Sequence, residues 1–348
     1  MRAAYFDRHG PPEVVTLGEL PTPQPGPGQV RVAVRAVALN HLDLWARRGL
    51  PNVTLPLPHI GGSDIAGVVD VLGPSLDEDP PRRWTPGDAV VINPSLPCGR
   101  CAACRAGETS LCERFRILGE HLHGGMAEYV VVPADRLYPK PAQLSFAEAA
   151  AVPLVFQTAW RALITRARLR PGEDVVILGA GGGVATAAIQ IARLAGSRVI
   201  AVTSSTERAL AVQALGADIV IDRTQEPWSK AAWLATEKRG ADVLVENVGA
   251  ATWADSLRTM KRGGRIVTYG ATTGAMAETD LRYVFFKQLS ILGSTMASDG
   301  EFEAVMRLVD RGLLHPVVDR VLPLAEARRA HEILEAGEAL GKVVLAVG

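Results

Sequence analysis

Val175-Val176-Ile177-Leu178-Gly179-Ala180-Gly181-Gly182-Gly183-Val184-Ala185 is the stretch that decides how this chain folds. A short β-branched run enters a glycine-rich turn, and an Ala-rich helical segment leaves it. Gly179 permits the sharp turn, Gly182 lets the backbone approach a pyrophosphate, and small Ala185 lets the helix pack on the strand. Gly181, Gly183 and Val184 complete a helix start whose free N–H groups and positive dipole end suit phosphates. The turn lies inside a strand–helix–strand unit of about 28 residues, the context a dinucleotide fingerprint requires. At the end of the second strand, NAD sites carry an acidic residue for the ribose hydroxyls. Here the chain reads Thr203-Ser204-Ser205-Thr206-Glu207-Arg208. Hydroxyls with Arg208 close by favour NADP(H) over NAD(H). Glu207, which could reach a ribose, argues the other way.

Working outward, the same texture repeats. Strands are expected at Val175–Leu178, Val199–Val202, Ile219–Ile221, Val243–Glu246, Arg265–Tyr269 and Gln288–Ser294. Helices are expected at Val184–Ala195 and Glu207–Leu215. Short apolar runs separated by helices predict a doubly wound parallel sheet covered on both faces, an α/β fold. Ser145 with Glu148 three residues on is a capping box opening an Ala-rich, mostly helical stretch to Thr165. Residues 1–150 read instead as a β-rich unit, densely punctuated by Pro and Gly, with strands at Val30–Leu39, Ile65–Leu72, Ala89–Asn93 and Met126–Pro133. The division expected is 1–150, then 151–297, with about 298–348 returning to complete the first unit. That tail carries amphipathic helices near Glu301–Arg311 and Ala325–Glu335 and a last strand at Gly341–Val347.

All four cysteines fall together: Cys98, Cys101, Cys104 and Cys112, spaced C-x2-C-x2-C-x7-C. Thiolates at this spacing converge on one ion, and Gly99 and Gly107 permit the turns. Four sulfurs at about 2.3 Å fit tetrahedral Zn2+ and leave no open position, so the site is structural. A ferredoxin-type cluster run closes with x3 and proline, unlike this one. The chain has 37 basic and 37 acidic residues, and no basic footprint for nucleic acid stands out. The run Pro80-Pro81-Arg82-Arg83 reads as a solvated loop. The first residues lack a signal-peptide pattern, and no apolar run reaches 18 residues. The expectation is a cytoplasmic protein with no membrane partner, in which clustered cysteines mean metal rather than disulfides.

Taken together, Gly61-Gly62-Ser63-Asp64-Ile65-Ala66-Gly67-Val68-Val69, Pro86-Gly87-Asp88-Ala89-Val90, the four cysteines, Gly179–Ala185, Glu246-Asn247-Val248-Gly249 and Gly264-Arg265-Ile266-Val267 resemble the medium-chain dehydrogenase/reductase superfamily along essentially the whole chain. The resemblance implies a GroES-like barrel domain, an inserted Rossmann domain, hydride transfer in the cleft between them, and a homodimer or homotetramer acting on a small molecule. It implies cofactor contacts at Asn247, Gly249 and Gly270.

The resemblance breaks at one place. Zinc alcohol dehydrogenases of this family hold a catalytic zinc, with a Cys where this chain has Asn40 and a His where it has Ser63. A third ligand would fall in Pro153–Gln157, where there is no thiolate. An amide, a hydroxyl and Gln157 make a poor soft-metal site. Asn40 resembles instead the quinone and enoyl reductase branches, which reduce an activated C=C bond (enone or enoyl thioester) or a quinone without a metal. There Asn40, His41, Ser63 and backbone N–H groups near Gly249 and Gly270 are candidates to stabilise the enolate. The alternatives are a zinc alcohol dehydrogenase with an unusual ligand set and a non-catalytic dinucleotide-binding scaffold. His59 reads as a satisfied structural histidine. His121 and His123 offer a non-standard metal site with His59. His315 and His331 read as surface or helix-face residues, and Asp43 and Asp64 as buried carboxylates with Arg or Lys partners. Arg47, Arg48, Arg282 and Lys287 read as solvated surface rather than a CoA-phosphate site.

Overall fold

The computed structural model describes residues 1–50, 53–74 and 83–348. The Pro80–Arg83 reading therefore lies, except for Arg83, outside the described residues. So do residues 51–52 of the 47–56 loop.

The chain divides into two compact units. One comprises Met1–Leu154, Ser298–Asp310 and Pro316–Gly348; the other comprises Val155–Ala297 and Arg311–His315. In the first unit a central strand, Gln29–Ala38, alternates inward Val30, Val32 and Val34 with outward residues, the period-2 pattern of a half-buried strand. It pairs antiparallel with Asp64–Leu72, with Tyr129–Pro133 and with the last strand, Lys342–Ala346. Gly67 is needed here because a Cβ would stand 2.3 Å from the Ala33 carbonyl oxygen of the neighbouring strand. Ala89–Ile92, Leu137–Pro139 and Val318–Pro323 complete a seven-stranded sheet. Its core gathers Val32, Val37, Ile65, Val90, Leu118, Met126 and Val343. The Asp299–Asp310 helix is tied to it by Arg136, which donates to Asp299 at 2.8 Å.

The second unit is a six-stranded, wholly parallel sheet. Its strand order is Ile219–Asp222, Arg198–Thr203, Asp174–Ile177, Ala241–Glu246, Met260–Thr268, Ser290–Gly293. The order reverses between Asp174–Ile177 and Ala241–Glu246. In open α/β sheets, ligands bind beyond the carboxyl ends of the strands at such a reversal. The Gly183–Leu194 helix buries Ala185, Ala187, Ala188, Ile189 and Ile191, small residues that let it lie close to the sheet. The edge strand Ser290–Gly293 pairs on one side only and leaves Ile291 exposed. Phe285 and Phe286 on the preceding Leu281–Lys287 helix are also exposed.

Among the elements that escaped the sequence reading are the His41–Arg48, Trp228–Ala235, Trp253–Thr259 and Leu281–Lys287 helices, the Leu137–Pro139 and Val318–Pro323 strands, and the small sheet of Arg2–Tyr5 with Thr16–Glu19. No helix among the described residues is long and apolar enough to cross a membrane.

Candidate functional site

The four cysteine sulfurs lie within 4.8 Å of one another, a single convergent group. Cys101 and Cys104 approach to 3.5 Å at sulfur, close to the edge of a tetrahedron with bonds of about 2.3 Å. Backbone N–H groups of Cys98 and Arg114 donate to Cys112 Sγ at 3.2 and 3.3 Å. Those of Arg100 and Cys101 pull the Cys98 thiol down to about 6, toward the thiolate that binds metal. Gly99 and Gly107 take positive φ with open space around them, so their role is the turn itself. The geometry and donors fit structural Zn2+.

The nucleotide turn is formed as its sequence implies. Gly179 has φ +62°, a conformation that disfavours any side chain. The turn leads straight into the Gly183–Leu194 helix, whose first N–H groups are open to an anion. Arg208 reaches back over the turn: a Cβ on Gly181 would stand 3.3 Å from its Cδ and its Nη1. Thr203 Oγ1 and Asn247 Oδ1, both beyond or at carboxyl ends of strands, are buried without a hydrogen-bond partner. Buried polar groups are rarely left so, and these two fit the polar groups that a bound nucleotide would bring. Ser205 is spent differently, as the cap accepting from Arg208 N at 3.4 Å, and Ser204 is half-buried beside it.

A residue the sequence reading quoted but gave no role organises the far side of this turn. Glu246 is fully buried and accepts from Val248 N, Gly249 N, the Thr252 hydroxyl and the Ser256 hydroxyl at 2.6–3.1 Å. It pins the loop carrying Asn247 and Gly249. Gly249, at φ +89°, has no room for a Cβ, which would meet the Gly274 carbonyl oxygen at 2.6 Å. Gly270 lies beside Asn247, at ordinary contact distance.

In the first unit, Asn40 ends up in a buried ionic cluster. Strand register puts it there. Val344 pairs antiparallel with Ala38, so Lys342 falls opposite Asn40. Lys342 Nζ donates to Asn40 Oδ1 at 2.5 Å and to Asp64 Oδ2 at 2.8 Å, and Asn40 Nδ2 donates to Asp64 Oδ2 at 2.9 Å. Asp64 Oδ1 accepts from Leu154 N at 2.7 Å. Asp64 is thus the buried carboxylate with a Lys partner that the sequence suggested. Lys342 itself was not singled out, because 278 residues separate it from Asp64. Removing one member of such a pair leaves an uncompensated buried charge and costs about 3–5 kcal/mol. Ser63 is fully buried and its hydroxyl has no partner. His41 opens the His41–Arg48 helix and is solvent-exposed.

This donor set does not fit a catalytic zinc. Asn40 offers an amide oxygen already held by an ammonium, Ser63 a hydroxyl, and Asp64 a carboxylate with both oxygens engaged. Soft divalent metals prefer thiolate and imidazole.

Several expectations need correction. Asp43 has no Arg or Lys partner among its hydrogen bonds. It accepts from Asn40 N and Gly62 N, each at 2.7 Å, fixing the helix start and the Gly61–Ser63 turn together. His59, His121 and His123 do not converge as metal ligands: among the described residues the convergent group is the cysteines. His59 Nε2 instead sits 3.0 Å from the Gly119 carbonyl oxygen, as a structural histidine would. His331 does lie on a helix face, that of Ala327–Glu335, but on its buried side rather than at a surface. Arg47, expected in solvent, is fully buried and donates to Glu335 at 2.7 Å. Lys287 Nζ is committed to the Arg258 and Met260 carbonyl oxygens.

Residues 26–142 match the alcohol dehydrogenase GroES-like domain, and residues 183–311 match the zinc-binding dehydrogenase family. The chain is 34% identical to a crotonyl-CoA reductase of Streptomyces avermitilis, over 92% of this chain and 79% of that one. It is 31% identical to an acryloyl-coenzyme A reductase of Metallosphaera sedula, over 94% and 95%. A crystal structure of an NAD-dependent alcohol dehydrogenase, 48% identical and covered completely by both chains, superposes with a TM-score of 0.95. The chain belongs to the zinc-type alcohol dehydrogenase-like, medium-chain dehydrogenase/reductase superfamily. It is an oxidoreductase of that superfamily, with a nicotinamide cofactor site and a four-cysteine group that fits structural zinc.

Proposed function

We propose that this protein transfers hydride from NADPH to the β-carbon of an activated C=C bond, in an enone, an enoyl thioester or a quinone, without a catalytic metal. The observation that carries this reading is the Asn40–Asp64–Lys342 cluster, which fills the positions where zinc ligands would stand. The names of the crotonyl-CoA and acryloyl-CoA reductases speak for an enoyl substrate. That of the alcohol dehydrogenase keeps alcohol oxidation as the rival.

When bound, the reduced nicotinamide supplies the hydride. As it adds to the β-carbon, the C=C electron pair moves toward the carbonyl oxygen, which gains negative charge; a proton from solvent or a side chain then reaches the α-carbon. This chain's residues hold and polarise. Backbone N–H groups of Gly181–Val184 seat the pyrophosphate, and Arg208 provides the positive charge that favours a 2′-phosphate. Asn40 is locked by Lys342 and Asp64, and its Nδ2 carries a second hydrogen suited to a developing oxyanion. His41, exposed at the start of the His41–Arg48 helix, is a candidate to relay the proton.

We place the enzyme in the cytoplasm as a homodimer or homotetramer, with the exposed edge strand Ser290–Gly293 and Phe285–Phe286 covered by a second copy. The deciding assay follows loss of NADPH absorbance with an enone, a crotonyl thioester and a quinone, beside NADP+ or NAD+ reduction with primary alcohols. Turnover of an activated double bond with one zinc per chain is expected. Alcohol oxidation dependent on a second zinc would reject the proposal.

A further inference from the structure

We infer that Glu120 is the general acid of this site: its carboxyl gives up the proton that the substrate's α-carbon takes once the β-carbon has received hydride. The inference rests on the proposed reduction of an activated double bond and supplies the proton source that reading leaves open.

Packing sets Glu120 against the residues that hold Asn40 and Ser63. The Gly119 backbone lies so close to the Gly61–Ser63 turn that a Cβ on Gly119 would stand 2.7 Å from the Gly62 carbonyl carbon and 2.9 Å from Ser63 N. Asp43, which accepts from Asn40 N and Gly62 N, is near enough for its charge to act on the Glu120 carboxyl. Glu120 is nine-tenths buried and its Oε2 has no hydrogen-bond partner; Ser63 Oγ, on the neighbouring turn, is buried and unpartnered too. Buried carboxylates are ordinarily paired or hydrogen-bonded. The geometry also says which form Glu120 takes. Ile117 N donates to His121 Nδ1 at 3.2 Å, so the lone pair of that nitrogen is turned to Ile117. Glu120 Oε2 lies 3.6 Å from the same nitrogen. Two acceptors face each other there unless Glu120 carries a hydrogen. Among the described residues, Asp43 from the His41–Arg48 helix and His121 from its own turn are the titratable groups that face it. Burial first, and the Asp43 charge second, keep the proton on up to about 7. The step balances. With hydride on the β-carbon, the former C=C pair rests on the carbonyl oxygen as an enolate. The enolate re-forms C=O, and its carbon–carbon pair takes the Glu120 proton as the new α-C–H bond. The O–H pair stays behind on the carboxylate. The half-buried His121 marks where water reaches this acid and returns the proton. His41, exposed at its helix start, exchanges protons with water but keeps none apart from it.

The test reads the handedness of the product. The probe is an enone with one methyl group on the α-carbon, reduced with NADPH. Wild type is expected to give one enantiomer, because a fixed acid reaches one face of the enolate. Glu120→Gln keeps the shape and loses the acid. It is expected to lower kcat about a hundredfold or more, to bind NADPH as wild type does by fluorescence titration, and to give both enantiomers, since water then protonates either face. The acid form is the active one, so wild-type kcat falls as pH rises through about 7, and that fall is absent in Glu120→Gln. A single enantiomer from Glu120→Gln would overturn the inference, as would an unchanged kcat. Both enantiomers from His41→Gln, with Glu120 in place, would overturn it as well. A second measurement stands if Glu120→Gln does not fold: wild type is expected to show the infrared band of a neutral carboxylic acid that fades with a midpoint of about 7, and no such band at pH 6 would overturn the inference. A wild type that reduces no enone sinks the proposed reaction itself. A wild type that reduces the enone while Glu120→Gln matches it in rate and handedness sinks only the role of Glu120.

Discussion

Asp43 and Glu120 are buried acids without a cationic partner among their hydrogen bonds. Burial first, and the negative charge of Asp43 second, push Glu120 up to about 7; burial likewise raises Asp43 to about 6. For such a group the folded state binds its proton more tightly than the unfolded chain. Its contribution to stability is complete below the unfolded value near 4.5 and is lost as pH rises through about 7. Glu120→Gln removes the ionisation. It is expected to raise stability at pH 8 by roughly 1–3 kcal/mol, with the gain shrinking below about 1 kcal/mol at pH 5. Urea denaturation at the two pH values checks this; an equal gain at both would show that burial of the charge is not the cause. Arg208 carries a second residue-scale expectation. If its guanidinium meets a 2′-phosphate, Arg208→Ala raises KM for NADPH about tenfold or more and leaves KM for NADH nearly unchanged, a loss of one charged hydrogen bond. Equal effects on both cofactors would move the phosphate elsewhere.

At the scale of elements, the cysteine lobe has little core of its own, and the ion that its four sulfurs fit would hold it together. Among its cysteines only Cys112 is buried, and the Ala102–Arg105 helix is a single turn that buries nothing. Cys104→Ser is expected to drop zinc from one per chain to none and to open the segment between Cys98 and Cys112 to protease. The parallel sheet of the second unit should keep its own cooperative transition in calorimetry. This lobe was legible in the sequence because its four ligands lie in one short local run, and the glycine turn because strand, turn and helix are contiguous. What escaped was non-local or atypical. Val318–Pro323 sets Asp319 and Arg320 side by side, ends in proline, and pairs in parallel with a strand about twenty residues on. His331 looked like a polar helix position, yet its helix buries it alongside Ala330, Ile333 and Leu334. Lys342 opens a strand rich in valine and gave no signal of its own. Its meaning comes only from register with a strand three hundred residues earlier.

For the whole molecule, the edge of the parallel sheet that no strand pairs among the described residues is the feature that the proposed homo-oligomer would cover. An exposed strand with Ile291 and nearby Phe285 and Phe286 is a template for pairing. Ile291→Lys with Phe286→Glu is expected to convert the assembly to a monomer of 37.0 kDa by light scattering. An unchanged mass would place the contact on another face.

The discontinuity of the first unit has a consequence for how the protein is made. Its central strand, Gln29–Ala38, is synthesised early, but one of its partners, Lys342–Ala346, and the ammonium that neutralises Asp64 are synthesised only after the whole of the second unit. The residues between, Val155–Ala297, form a sheet that needs nothing from either end for its strand pairing. Translation therefore delivers a finished nucleotide-binding unit while the N-terminal sheet still lacks a strand and carries an unmatched acid. Synthesis of Lys342–Ala346 closes that open strand edge and brings Asp64 its counter-charge.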